Sequence, residues 1–144
     1  MPHSVLLIDD DARLVFALRT RLKALGYQVH TASSGEDGLV AARENPPNVI
    51  LLDISMPRMD GYQFCRFVRA DSKLNTTPIV VISAIDNESS RRAVFEAGAN
   101  RFLPKPYELG QVVEAIRTAC DFHCSSDLRA AGSVPLKSAS ERVL

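Results

Sequence analysis

The chain has 144 residues, with 17 lysines and arginines against 17 aspartates and glutamates, no formal net charge and 46% apolar positions. That is one domain of ordinary globular composition, which excludes a chain disordered throughout or built of low-complexity repeats. Balanced charge leaves no clustered excess of Lys and Arg for phosphate backbones or acidic lipid, so binding to nucleic acid by this chain alone is not expected.

The first apolar run, Val5-Leu6-Leu7-Ile8, is unbroken, as in a parallel strand covered on both faces, and ends in Asp9-Asp10-Asp11. It lacks the basic start and cleavage site of a signal peptide. Leu14, Leu18, Leu22 and Leu25 then recur at helical spacing up to Gly26. Tyr27 to Thr31 alternates apolar with polar, which suits an edge strand with one wet face. Leu39 and Ala42 mark a second helix, stopped by Pro46-Pro47. Val49-Ile50-Leu51-Leu52 is a second buried run, ending in Asp53. Phe64, Phe67 and Val68 form a third helical stripe, and Ile79-Val80-Val81-Ile82 a further central strand ending in Ser83. A fourth helix runs to Ala97-Gly98. A short strand, Arg101-Phe102-Leu103, precedes Lys105, which sits between Pro104 and Pro106. A last helix, from about Glu108 to Cys120, carries Leu109, Val112, Val113, Ile116 and Cys120 on one face.

Five strands alternating with five helices define an α/β fold, a parallel sheet with helices on both faces. Residues 1–121 form the domain and residues 122–144 a polar tail or linker start, with room for a short helix near Asp127 to Ala131. No apolar run approaches the roughly 18 residues of a membrane helix. Cys65, Cys120 and Cys124 make an odd count in a chain that can fold without staples, which points to a reducing, cytoplasmic setting.

In an open parallel sheet, ligands bind at the carboxyl ends of the strands. There this sequence delivers Asp9, Asp10, Asp53, Ser83 and Lys105. Converging carboxylates repel unless a cation joins them, and an all-oxygen site favours a hard divalent ion such as Mg2+. Mg2+ takes few protein carboxylates directly, which leaves room for a phosphoryl oxygen and one Asp to act as nucleophile. Lys105 supplies a point charge and Ser83 a hydroxyl for the oxygens.

Leu7-Ile8-Asp9-Asp10-Asp11, the run from Leu51 to Gly61, Val81-Ile82-Ser83-Ala84 and Lys105-Pro106 together resemble the receiver domains of two-component response regulators, over roughly residues 3 to 121. The resemblance implies a flavodoxin-like doubly wound (βα)5 fold with strand order 2-1-3-4-5, a topology for which a receiver protein is a standard example. It implies Asp53 as phosphoacceptor from a histidine kinase or histidine phosphotransfer protein, and Mg2+ held by Asp9, Asp10, Asp53 and the Ser55 carbonyl. Lys105 then pairs with the acids or the phosphoryl group, before a cis bond to Pro106. Ser83 and Phe102 are the switch pair. Ser55 and Ile85 flank the path of attacking water. Such a domain catalyses its own phosphoryl transfer and slow autodephosphorylation.

The implied output face comprises the fourth helix, fifth strand and fifth helix, with Arg91, Glu96, Arg101 and Tyr107 as candidates for binding a downstream protein or a second copy. Asn100-Arg101 stands where winged-helix regulators often carry acids, which weakens the expectation of their dimer. The chain as given reads as a stand-alone receiver. Asp11 and Asp60 read as helix caps. Cys120, His123 and Cys124 lack the fourth ligand and spacing of a zinc site. Two rivals remain: an aspartyl phosphatase of the haloacid-dehalogenase type, with Asp9 as nucleophile, and a degenerate receiver that only binds protein.

Overall fold

The computed structural model describes the backbone of residues 3–54 and 60–132 and the side chains of those up to 120. The apolar runs form β1 (Ser4–Ile8), β2 (Gln28–Ala32), β3 (Val49–Asp53), β4 (Ile79–Ser83) and β5 (Arg101–Pro104). All pair in parallel, in the order β2-β1-β3-β4-β5. Between and after them lie α1 (Ala12–Ala24), α2 (Gly35–Glu44), α3 (Gly61–Ala70), α4 (Glu88–Ala97) and α5 (Leu109–Gly132). This is the expected flavodoxin-like doubly wound fold.

Successive side chains of a strand point to opposite faces, so each strand feeds two cores. Leu6, Ile8, Ile50, Leu52, Ile79 and Val81 pack with Leu39, Phe64, Val68 and Val94 of α2, α3 and α4. Val5, Leu7, Val49, Leu51, Val80 and Ile82 pack with Leu18, Leu22, Val112 and Ile116 of α1 and α5. Central β3 and β4 are therefore buried at every position. The edge strand β2 leaves Gln28 and His30 exposed, as its alternation predicts, and Thr31 on its other face is exposed as well.

Polar side chains fix the helix starts. Asp11, Ser34, Asp60 and Asn87 each accept a hydrogen bond from a backbone N–H of the first turn, and Asp60 with Gln63 forms a reciprocal capping box. Gly98 ends α4 at φ +121°, where a side chain would be strained. Against that turn lies Arg69 of α3, which donates to the carbonyls of Gly98 (2.9 Å), Thr77 (2.7 Å) and Asn75 (3.2 Å) and to Asn100 Oδ1 (2.8 Å). Asn100 Oδ1 also accepts from Ile79 N at 2.8 Å, so this one cluster bolts α3, α4 and the start of β4 together.

The last helix runs longer than the sequence suggests. Its backbone stays helical through Gly132, whereas the apolar stripe ends at Cys120. No proline or glycine interrupts residues 111–131, so no strong helix breaker stands between the end of the apolar face and Gly132. Among the described residues no helix is long and apolar enough to cross a membrane.

Candidate active site at the strand ends

Parallel pairing sets the carboxyl ends of β1, β3, β4 and β5 side by side. Asp53 and Ser83 are the last residues of β3 and β4, Ser83 is in register with Pro104, and Asp9 follows β1 directly. The buried polar residues among those described are Asp9, Ser34, Asp53, Thr77 and Ser83, so three of the five lie on this rim. Such a concentration of desolvated polar groups marks a functional site rather than scattered surface charge.

Carboxylate oxygens of Asp9, Asp10 and Asp53 lie within 4.8 Å of one another. The Lys105 ammonium reaches in from beyond β5, with Nζ 3.6 Å from Asp53 Oδ2 and 3.9 Å from Asp9 Oδ2. Its backbone N–H donates to the Ser83 carbonyl at 2.8 Å, which fixes where the side chain starts. Asp9 Oδ1 accepts from the Asp11 N–H at 2.9 Å, while the Asp11 carboxylate turns away to cap α1. Beside Asp53, the Gly61 N–H donates to the Ile54 carbonyl at 3.1 Å. A Cβ on Gly61 would stand 2.7 Å from Ile54 Cα, so only glycine lets α3 begin this close to Asp53.

Crowding the acids has an electrostatic cost. Burial, with the negative charge of Asp53 and a hydrogen bond shared with it, pushes the Asp9 carboxyl up to about 6, against the Asp11 N–H and Lys105, which pull it down. The Tyr107 hydroxyl is raised by burial, then by Asp9 and Asp53, with Arg21 opposing. From the sequence Tyr107 is a candidate for the output face only. Its position two residues after Lys105 is the one sequence signal that it also feels the acids. The donor set suits a hard divalent cation: three carboxylates within reach of one ion, two buried and strained by mutual repulsion, and Asp10 open to solvent for the water ligands such an ion keeps.

Thus Asp9, Asp10, Asp53 and Lys105 share one pocket. Ser83 stands on the same rim, only 1% exposed, but its hydroxyl is engaged by its own loop: Oγ accepts from the Ile85 N–H (3.0 Å) and donates to the Ile85 carbonyl (3.3 Å). Ile85 itself is exposed. Phe102, on β5, is half-buried against the core, with the Arg91 guanidinium 4.7 Å from its ring centroid. Ser55 lies outside the described residues, as do Met56 to Met59 and the side chains of His123 and Cys124. Of the output-face candidates, Arg91 and Glu96 are exposed on α4, while Arg101 is half-buried and donates to Thr118 Oγ1 at 3.2 Å. Cys65 and Cys120 are buried thiols.

A profile of the response regulator receiver domain matches residues 5–117. The response regulator MprA of Mycobacterium sp. strain KMS is 38% identical over 117 residues, which cover 81% of this chain and 50% of that protein. The chain spans about half the length of the curated relatives it matches. Among solved structures, a response regulator from Chloroflexus aurantiacus superimposes with a TM-score of 0.80 at 36% identity, covering 84% of this chain and 99% of that one. The receiver domain of the sensor histidine kinase PA1611 of Pseudomonas aeruginosa, with a magnesium ion coordinated in its active site cleft, gives 0.77 at 25% identity, covering 84% and 99%. The matched span runs from β1 into α5 and takes in every strand that delivers a residue to the pocket: the chain belongs to the response regulator receiver domain family.

Proposed function

We propose that this receiver takes a phosphoryl group onto Asp53 from the phosphohistidine of a histidine kinase or histidine phosphotransfer protein, with Mg2+ as cofactor. The observation that carries the reading is the Lys105 ammonium set between the carboxylates of Asp53 and Asp9, at 3.6 and 3.9 Å, in a buried pocket. An Asp53 oxygen attacks phosphorus, the phosphorus–nitrogen bond to the donor imidazole breaks, and its electron pair stays with the imidazole. Asp9, Asp10 and Asp53 would hold the ion, whose chemistry when bound is to neutralise charge on the phosphoryl oxygens. The magnesium in the PA1611 receiver supports this assignment. Lys105 gives the phosphoryl oxygens a second positive partner.

To reach a phosphoryl oxygen, the Ser83 hydroxyl must leave Ile85. That contact exists only in the phosphorylated arrangement, so phosphorylation shifts the population toward it, and Phe102 moves with the vacated space. The readout is a change on the face of α4, β5 and α5, where a downstream protein or a second copy binds. In this reading the receiver unit is residues 1–121, with 122–144 a tail or linker start. It works in the cytoplasm and contacts no nucleic acid through this chain, in keeping with its neutral charge.

Intact mass with acetyl phosphate and Mg2+ tests the proposal. Wild type gains one phosphoryl group and Asp53→Asn gains none. An adduct that persists in Asp53→Asn points to Asp9 and a phosphatase-like nucleophile, and no adduct on wild type points to a binding module without chemistry.

A further inference from the structure

The loop between β4 and α4 is tied down by contacts that the proposed chemistry does not use. Asp86, the residue before the α4 cap Asn87, pairs through Oδ1 with Arg91 Nε at 2.6 Å. These residues are five apart and Asp86 is outside the helix, so the pair is not an ordinary helix-face contact at three or four residues but a strap from loop to helix. The same guanidinium lies over the Phe102 ring, 4.7 Å from its centroid. One side chain therefore contacts both the loop that follows Ser83 and Phe102, which stands in register with Val81 on the neighbouring strand. Arg92, next along the helix, differs: it pairs with Glu88 at 3.1 Å, four residues back on the same helix.

We infer that Arg91 is a positioning residue of the switch, acting through Asp86 and Phe102 to hold the β4–α4 loop where the Ser83 hydroxyl is kept from Asp53. The inference rests on the phosphoacceptor reading above. The Ser83 hydroxyl bonds the Ile85 N–H in the present arrangement, and reaching a phosphoryl group breaks that bond and carries Ala84 to Asp86 along. Moving Asp86 opens its pair with Arg91, and moving Phe102 opens the stack. Both contacts belong to one arrangement only, which is the condition for biasing a two-state equilibrium. Asp86 and Arg91 are both well exposed, at 41% and 44% of their side chains, so each contact is modest and together they give a trim rather than a lock.

The test uses the full chain and beryllofluoride with Mg2+ as the phosphoryl mimic, with binding read by calorimetry. Arg91→Ala should bind about fivefold more tightly than wild type, equivalent to about 1 kcal/mol. Asp86→Asn, which loses only the pair, should gain less, and Arg92→Ala should match wild type. Without metal or mimic, hydrogen exchange at the Ile85 amide should be several-fold faster in Arg91→Ala and unchanged in Arg92→Ala. Equal or weaker binding by both Arg91→Ala and Asp86→Asn, with wild type binding normally, overturns the role of Arg91. Absence of binding by wild type overturns the phosphoacceptor reading and this inference with it.

Discussion

Replacing Asp9 by Asn measures what gathering the acids costs the fold. The carboxyl titrates near 3.8 when unfolded and near 6 in the pocket, chiefly through burial, with Asp53 adding to it. Below about pH 4 both states hold the proton and the residue contributes no penalty. As pH rises toward 6 the unfolded chain releases its proton while the folded chain retains it, so stability falls. Above that the loss is constant. A gap of about two pH units at roughly 1.4 kcal/mol each puts the penalty near 3 kcal/mol at pH 7. Asn keeps an oxygen for the Asp11 N–H, which Asp9 Oδ1 now accepts at 2.9 Å, and carries no charge. Urea unfolding in EDTA should therefore find Asp9→Asn more stable than wild type by about 2–3 kcal/mol at pH 7.5, with the gap closing as pH falls toward 4 and with m unchanged. Added Mg2+ should raise the stability of wild type more than that of the variant. A gap independent of pH, or a variant less stable than wild type at pH 7.5, refutes the reasoning.

Arg69→Met removes the donors to the carbonyls of Gly98, Thr77 and Asn75 and to Asn100, and should lower stability by about 2–4 kcal/mol in urea unfolding. Arg69→Lys should restore little of it, because one ammonium cannot span that fork. Gly61→Ala drives a methyl into Ile54 Cα and should cost about 1–3 kcal/mol while slowing phosphorylation of Asp53 in a mass-spectrometric time course. Lys105→Ala leaves Asp9 and Asp53 without their ammonium and should slow adduct formation from acetyl phosphate more than tenfold, with up to about 1 kcal/mol lost from stability in EDTA.

Much of this architecture was legible because its determinants are local. Apolar runs covered on both faces read as central strands, and the alternation from Tyr27 to Thr31 read as an edge. Asp11 and Asp60 read as caps and are caps. The rim could be named because a parallel sheet sends every strand end to one side, so Asp9, Asp53, Ser83 and Lys105 had to meet. What stayed hidden depends on side-chain direction across distant segments. Nothing in the spacing of Arg69 announces that it will cap carbonyls from two other segments, the loop before β4 and the turn after α4, and Asp86 with Arg91 fits no helix-face pattern. Tyr107 reads as an output residue, and only its burial and the charges of Asp9 and Asp53, which raise its hydroxyl, tie it to the pocket. The length of α5 is not legible because amphipathicity ends at Cys120 and the weak helix formers from Asp121 to Asp127 give no signal that the helix goes on, although no proline or glycine stops it before Gly132.

Borohydride trapping maps the acyl phosphate directly: wild type is incubated with acetyl phosphate and Mg2+, reduced, digested and sequenced by mass spectrometry. Reduction should convert residue 53 alone to homoserine. Homoserine at position 9, or at no position in a chain shown to be folded and loaded with Mg2+, contradicts the account.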